Sequence, residues 1–251
     1  MSAAPHWLWA DWPALPRVRA LCTLRQGGVS LAPFDSFNFG QRVGDEPQAL
    51  RTNLQRLAAA VQLPAEPQWL EQVHGCAVAD LDSPGSRQAD AAVTRTPGRV
   101  CAIQTADCLP VLLAATDASA VAAAHAGWRG LAAGVLGRSV EALRAAATPG
   151  VGLQAWLGPA IGPDCFEVGD EVRAAFCDVD AGAAAGFVAN ARGRWQADLY
   201  ALARRALAAA GVTQVSGGGW CTFAQASQFY SYRRAARTGR MVSLVWITPP
   251  T

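Results

Sequence analysis

SAVAAAHAGWRG, residues 119–130, joins a run of small apolar residues to a histidine and a Gly-Trp-Arg-Gly turn. The run predicts a buried strand, because short apolar segments bounded by turn residues are typical of strands covered on both faces. His125 then lies where the strand ends and a loop begins, a common location for functional side chains. This stretch therefore predicts a central sheet with a candidate site at its edge.

The rest of the chain predicts more strands than helices. Strands are predicted at Val18 to Leu24, Gln68 to Val73, Cys76 to Leu81, Val100 to Thr105, Pro110 to Ala115, Ala120 to His125, Leu153 to Leu157, Val212 to Ser216 and Met241 to Ile247. Helices are predicted at Pro47 to Val61, Leu131 to Ala147, Val168 to Phe176 and Trp195 to Ala210. Because the two do not alternate strictly, the pattern favours an α+β architecture of mixed sheets over a doubly wound parallel sheet. We expect one domain over residues 1–251, with residues 1–16 as an N-terminal extension.

The composition limits the classes of function. A hydrophobic fraction of 51% supplies a sizeable core, and a net charge of +2 without a basic stripe argues against nucleic-acid or membrane partners. All 21 cationic side chains are arginine, which excludes a Schiff-base lysine and a P-loop lysine. Seven cysteines without a CxxC motif and an N-terminus without a basic leader predict a reduced, cytoplasmic protein.

Three short segments concentrate the residues that can carry chemistry. WLEQVHG contains His74, TADCLPVL contains Cys108, and AHAGWRG contains His125, each beside a strand-like run. Two imidazoles and one thiolate form a ligand set of the kind that catalytic zinc uses, with a fourth position left open. The residues alone leave two further interpretations: hydrogen-bonded core side chains, or a metal-free Cys108 nucleophile with His125 or His74 as its base.

These segments occur in one order with TLRQGGVSLAPFDSFNFG, AWLGPAIGPDCFEVGDEV and CTFAQASQFYSYRR. Together they resemble the YfiH/laccase-domain family, purine nucleoside enzymes formerly called polyphenol oxidases. The resemblance runs from about Leu21 to the C-terminal strand. It implies mixed sheets layered between helices, in an α/β/β/α order, and a zinc ion bound by His74, Cys108 and His125.

The resemblance also implies purine nucleosides and inorganic phosphate as substrates. The reactions would be phosphorolysis of adenosine, inosine, guanosine and methylthioadenosine, and hydrolytic deamination of adenosine. Asp107 is the nearest carboxylate for proton transfer, unless it only stabilises a structural turn. Arg25 and Arg129 are candidates for an anion site, and Asn38 and Gln72 are candidates for hydrogen bonds to base or ribose. Asn38 and Gln72 could instead have structural roles in turns, and Arg129 could be a solvated charge in the first turn of a helix.

Different functions are compatible with the same residues. A multicopper centre needs many histidines, and the chain has only His6, His74 and His125. A single site of two histidines and one cysteine can still hold copper, so the protein could be a laccase-like oxidase instead of a zinc enzyme. A metal-free Cys-His hydrolase and a non-catalytic nucleoside-binding protein are also compatible with the sequence. Trp128 is a candidate for stacking on a purine, and Cys165 is expected to be a buried spectator near the pocket.

Overall fold

The computed structural model describes residues 6–13 and 15–249. Residues 1–5 and 14 of the expected N-terminal extension lie outside the described residues. The described strands are β1 (Trp7–Trp9), β2 (Val18–Thr23), β3 (Val78–Asp80), β4 (Ala91–Thr94), β5 (Val100–Thr105), β6 (Leu109–Ala115), β7 (Val121–Ala126), β8 (Leu153–Leu157), β9 (Glu167–Val168), β10 (Phe187–Ala189), β11 (Trp195–Ala197), β12 (Gln214–Gly217) and β13 (Met241–Ile247). The described helices are α1 (Pro47–Val61), α2 (Trp128–Ala132), α3 (Val135–Ala146), α4 (Asp170–Cys177) and α5 (Leu199–Ala209), with 3₁₀ helices at Pro163–Cys165 and Ala181–Gly186.

These strands form two large sheets and one small one. An antiparallel sheet has the order β1-β2-β13-β5, and a six-stranded sheet has the order β12-β8-β6-β7-β4-β3. In the six-stranded sheet the outer pairs β12/β8 and β3/β4 are parallel and the inner pairs are antiparallel. The prediction of mixed sheets in an α+β fold is confirmed.

Three apolar cores separate four layers. The first core lies between α1 and the four-stranded sheet, where Leu57 packs with Trp246. The second lies between the two sheets, where Ile103 meets Leu112. The third lies between the six-stranded sheet and the helices α3 and α5, and Leu136 is part of it. The order is therefore α/β/β/α, as the resemblance implies.

The layering explains the apolar run that precedes His125. Successive side chains of a strand point to opposite faces, and both faces of β7 are covered. Ala122 and Ala124 belong to the core under the helices, whereas Val121 and Ala123 belong to the core between the sheets. The same alternation directs His125 to the side of the four-stranded sheet. The candidate site thus lies at one end of the layer between the sheets.

Three predicted helices differ from the observed ones. The helix predicted from Val168 to Phe176 is α4, Asp170–Cys177, and Val168 belongs to β9. The segment predicted as one helix from Leu131 to Ala147 forms α2 and α3, because Gly134 adopts a left-handed conformation with φ of 88° that no continuous helix contains. The helix predicted to begin at Trp195 begins at Leu199. Its N-cap, Asp198, accepts a hydrogen bond from the backbone nitrogen of Ala201, and the three residues before Asp198 form β11.

The strand predictions fail where the chain is irregular. The segment from Gln68 to Val73 forms no strand and makes only one bridge, between Gln68 and Cys101. The alanine-rich β4 and the short strands β1, β9, β10 and β11 were not expected, since two to four residues carry little periodic signal. Within the part of the chain that the structure describes, no helix is both long and apolar enough to cross a membrane.

Candidate metal centre

The structure brings His74, Cys108 and His125 together. Their ligand atoms all lie within 4.8 Å of one another. Cys108 Sγ lies 4.0 Å from His74 Nε2, and the two imidazole rings have centroids 4.8 Å apart. His125 is buried, Cys108 is partly exposed and His74 is exposed, so the cluster opens to solvent on one side.

Three backbone segments converge to make this cluster. His125 is the second-last residue of β7 and is paired with Pro110 of β6, and Cys108 precedes β6 by one residue. His74 lies in a turn of the loop before β3 and adopts φ of 62°, an uncommon conformation for a residue with a side chain. The surrounding contacts must therefore hold this turn in place.

Asp90, a residue that the sequence pattern did not reveal, supplies those contacts. Its side chain has no exposed surface and accepts four hydrogen bonds. Backbone nitrogens of Val73, His74 and Gly75 donate to it over 3.1, 2.9 and 2.7 Å, and Nδ1 of His125 donates over 2.8 Å. The bond at Nδ1 leaves Nε2 of His125 as the free ring nitrogen, as in histidines that bind metals.

Asp90 is also charged in this setting. Burial alone would raise the pKa of its carboxyl group, but the hydrogen bond from His125 and the N–H groups of Val73 and Gly75 outweigh burial and lower it. A buried carboxylate is stable only when its acceptors are satisfied, and all four donors here belong to the site. The one signal in the sequence was a lone aspartate in QADAAV, residues 88–93, directly before an apolar run.

In the metal-free protein, the surroundings favour the thiolate of Cys108 and the imidazolium of His125. Burial raises the pKa of the Cys108 thiol, but His125 and His74 outweigh burial and lower the pKa to about 6. Burial lowers the pKa of His125, but Cys108 and Asp90 outweigh it and raise the pKa to about 9. A thiolate is the form of cysteine that binds metals, and a bound cation would displace the proton of the imidazolium.

The space around the cluster fits a metal ion. Gly127 follows His125 by two residues, and a Cβ there would lie 3.0 Å from Cys108 Sγ and 3.2 Å from His74 Cδ2. A Cβ at Gly130 would lie 2.6 Å from the carbonyl oxygen of Gly75, so this glycine lets α2 pack on the His74 turn. The two glycines of HAGWRG therefore keep the ligand cluster clear and close to α2. Three borderline or soft ligands with one open side suit zinc, and they suit copper as well.

A cavity of about 600 Å³ opens beside the cluster. Four arginines and three aromatic side chains are among its lining residues, together with the three candidate ligands. The arginines are Arg42, Arg129, Arg233 and Arg240, and the aromatic residues are Trp128, Phe166 and Tyr232. A volume of this size accommodates a nucleoside-sized ligand.

Of the other predicted site residues, Gln72, Asp107 and Arg129 line this cavity. The side-chain amide of Gln72 donates to the backbone oxygen of Gln104 over 2.9 Å and accepts from its backbone nitrogen over 2.8 Å. The Gln72 side chain therefore ties the segment before His74 to β5. The guanidinium of Arg129 lies 4.4 Å above the ring of its neighbour Trp128.

Both carboxylate oxygens of Asp107 accept hydrogen bonds from other parts of the protein. The hydroxyls of Thr222 and Ser231 donate to it over 2.6 and 3.0 Å, and the backbone nitrogen of Arg233 donates over 2.7 Å. These three donors come from the C-terminal part of the chain, far away in sequence. Asp107 thus anchors that segment against the cysteine ligand next to it.

Arg25 and Asn38 are not among the residues that line the cavity. Arg25 donates to the Asp35 carboxylate over 3.0 Å and to the backbone oxygen of Ala226 over 3.0 Å. Asn38 is fully buried, and its side-chain oxygen accepts from the backbone nitrogen of Arg240 over 2.8 Å. In this conformation both side chains make hydrogen bonds within the protein, so they support the cavity wall instead of contacting a ligand.

Three arginines of the cavity carry charge that no carboxylate neutralises. Among the described residues, Arg129, Arg233 and Arg240 make no ion pair, whereas Arg42 is bonded to Glu71. Arg240 is partly buried, which lowers its pKa, and its Nη1 donates only to backbone oxygens. Unpaired guanidinium groups that converge on one cavity form a site for an anion. The sequence pattern singled out neither Arg233 nor Arg240, and YSYRR, residues 230–234, contributed only to the family resemblance.

The chain is similar to proteins of known sequence and of known structure. Residues 19–248 match the family model described as multi-copper polyphenol oxidoreductase laccase. A purine nucleoside phosphorylase of Pseudomonas aeruginosa is 54% identical over 96% of this chain and 98% of its own. The purine nucleoside phosphorylase YfiH of Escherichia coli is 50% identical over 94% of this chain and 97% of its own. A Neisseria meningitidis protein of known crystal structure superposes with a TM-score of 0.90 at 45% identity, covering 98% of this chain and all of that one.

Replacing Asp90 by Asn tests its role in the cluster. An amide of the same size offers only one acceptor oxygen, so the His74 turn and the His125 ring lose their common anchor. We expect Zn²⁺ affinity to fall about 10- to 100-fold, as is typical of residues that support metal ligands. Competition with a chromophoric chelator measures the affinity, and circular dichroism confirms that the variant is folded. Asp180→Asn, at an exposed pair with Arg205, is the matched control. Equal affinity in a folded Asp90→Asn variant would contradict the role.

Replacing Gly127 by Ala tests the space for the ion. The backbone of Gly127 has φ of −62°, which alanine adopts freely, so only the added methyl group acts. We expect Zn²⁺ binding to weaken by about tenfold, the magnitude typical of changes beside metal ligands. Gly137→Ala on α3 is the control, because a Cβ there meets no atom within 4 Å and alanine favours the helix. The same loss of Zn²⁺ in both variants, or in neither, would refute the steric argument.

Proposed function

The chain belongs to the multi-copper polyphenol oxidoreductase laccase family, and on that premise we propose that it is a zinc-dependent purine nucleoside phosphorylase that also deaminates adenosine. Its substrates would be adenosine, inosine, guanosine or methylthioadenosine, with inorganic phosphate. The names of its relatives support the phosphorylase assignment. The observation that carries the proposal is one cavity that joins a His₂Cys cluster to unpaired arginines and aromatic rings.

The arginines supply what phosphorolysis requires. In this reaction an oxygen of phosphate bonds to C1′ of ribose while the bond from C1′ to the base nitrogen breaks. We assign phosphate binding to Arg129, Arg233 and Arg240, because a guanidinium group binds phosphate through two parallel N–H donors. Their positive charge also holds the phosphate anion next to the ribosyl group, which itself becomes positively charged as the bond to the base breaks.

The aromatic side chains suit the base. Tyr232 has 56% of its surface exposed although it lines the cavity, and Phe166 lies under the guanidinium of Arg233. We assign stacking on the purine to these rings and to Trp128, because every purine offers a flat π-face. Stacking would also exclude water from the side of the base that faces them.

The metal would be held by His74, Cys108 and His125, with Asp90 fixing the His125 ring. When bound there, zinc would supply Lewis acidity at the edge of the cavity. Asp107 is the carboxylate nearest to the ligands in sequence, but protonating it would weaken three hydrogen bonds. We therefore assign Asp107 to holding the cavity wall and not to proton transfer during deamination.

A second candidate function is supported by the charged Cys108–His125 pair. A cysteine with a pKa of about 6, a histidine beside it and a carboxylate that orients the histidine are the parts of a cysteine hydrolase. This function needs no metal. Loss of activity on metal removal would separate the zinc enzyme from the cysteine hydrolase.

Product analysis tests the proposal. Purified protein is incubated with adenosine in the presence and absence of phosphate, before and after treatment with a chelator, and the products are separated by chromatography. We expect adenine and ribose-1-phosphate with phosphate, inosine without it, and loss of both after chelation with recovery on adding Zn²⁺.

Three outcomes would contradict it. Full activity after complete removal of the metal would favour the cysteine hydrolase. Rapid oxidation of phenols with stoichiometric copper, and no nucleoside products, would favour the laccase-like oxidase. Tight nucleoside binding without any product would favour a binding protein.

Substituting Arg129 by Lys tests the anion site. Lysine keeps the charge but loses the two-pronged geometry, and the loss of one charge-assisted contact is worth about 1.5 to 3 kcal/mol. We expect phosphorolytic kcat/KM to fall about 10- to 100-fold while deamination and zinc content stay unchanged. Arg138→Lys on the exposed face of α3 is the control. Equal losses in both reactions, or a loss of zinc, would show that Arg129 supports the fold instead of binding phosphate.

A further inference from the structure

Cys165 and Cys221 lie close together, and each is next in the chain to a residue that lines the cavity or bonds to one that does. Cys165 ends the 3₁₀ helix Pro163–Cys165, and Cys221 lies in the loop after β12. Both are partly exposed free thiols, unlike the buried Cys22 and Cys101. Cys165 is therefore not buried as expected, whereas its expected role as a spectator stays a prediction.

Gly162 brings the two cysteines together. A Cβ at Gly162 would lie 3.0 Å from Cys221 Cβ and 3.2 Å from its Sγ, so Cys221 packs directly on this glycine. The backbone nitrogen of Cys165 donates to the carbonyl oxygen of Gly162 over 3.0 Å, closing the turn. The turn thus folds Cys165 back over the residue on which Cys221 rests.

The two sulfurs have different surroundings. Backbone nitrogens of Gly162 and Ala224 donate to Cys221 Sγ over 3.2 and 3.4 Å, and such donors stabilise negative charge on the sulfur. Burial and then the neighbouring Cys221 raise the pKa of the Cys165 thiol. The two N–H donors on its sulfur favour Cys221 as the attacking thiol, which leaves Cys165 as the resolving thiol.

We propose that Cys165 and Cys221 form a reversible intramolecular disulfide by exchange with a low-molecular-weight disulfide. The Cys221 thiolate attacks one sulfur of the small disulfide and expels the other as a thiolate. Cys165 then loses its proton and attacks Cys221 Sγ in the mixed disulfide, which expels the second small thiolate. The two protein thiols lose two electrons in total, the small disulfide gains them, and the protons end on the two small thiols.

This bond would join two parts of the cavity wall. Phe166, next to Cys165, lines the cavity and lies 5.4 Å beneath the Arg233 guanidinium. Thr222, next to Cys221, donates to the Asp107 carboxylate over 2.6 Å. Tying these neighbours together restrains the wall on the side of the proposed base and phosphate contacts. We expect oxidation to raise the KM for nucleoside several-fold with unchanged metal content. This effect on KM rests on the proposed function, whereas the formation of the disulfide does not.

Disulfide mapping tests the bond. Zinc-loaded protein is reduced, desalted and incubated with oxidised glutathione, then alkylated, digested and analysed by mass spectrometry. We expect the peptides of Cys165 and Cys221 to be linked in wild type and in Cys177→Ser, a control at another partly exposed cysteine. Dithiothreitol should reverse the link. In Cys165→Ser, glutathione should remain on Cys221, because no resolving thiol is present.

The outcomes separate the bond from the proposed function. Cys165 and Cys221 recovered as two separately alkylated or separately glutathionylated residues in wild type would overturn the bond, whatever the activity. A mapped bond in a protein without phosphorolysis in either redox state would overturn the proposed function alone. A mapped bond with an unchanged KM, or the same loss of activity in oxidised Cys165→Ser, would overturn the effect on the cavity wall.

Discussion

The carboxylate of Asp90 is the interaction on which the site depends. It has no exposed surface and is surrounded by one imidazole N–H and three backbone N–H groups. A buried charge of this kind is costly unless every acceptor is satisfied, so the carboxylate and its donors stabilise one another. Through those donors, one residue sets the ring orientation of His125 and the backbone of His74. Both histidines of the cluster thus share a single anchor.

The layered fold explains why the cluster forms at this place. The strands β6 and β7 are covered on both faces, and where the layer between the two sheets ends the chain places Cys108 and His125 side by side. Gly127 follows β7 and Gly130 lies in α2, and the missing side chains of these glycines leave room for an ion and for the His74 turn. Residues 119–130 therefore supply a strand for the core, a ligand for the cluster and the space beside it.

The sequence predicted those parts of the site that follow from residue chemistry and strand ends. His74, Cys108 and His125 were candidates because histidine is rare in this chain and each residue adjoins a strand-like run, but their assignment as metal ligands came from the family resemblance. The mixed sheets and the bounds of α1 also followed from local patterns. Asp90 could not be identified, because its donors lie 15 to 17 residues earlier and 35 residues later in the chain. Arg240 and Arg233 reach the cavity only through the C-terminal loops that Asn38 and Asp107 hold. Those contacts are set by tertiary packing, not by periodicity.

X-ray absorption spectroscopy of the zinc-loaded protein tests the central claim, that His74, Cys108 and His125 bind one metal ion and that Asp90 holds the two histidines in place. The account predicts a shell with one sulfur at about 2.3 Å and two imidazole nitrogens at about 2.0 Å in wild type. The Asp90→Asn variant should show a disordered shell or one with fewer imidazole nitrogens. A wild-type shell without sulfur, or an identical shell in the variant, would contradict the account.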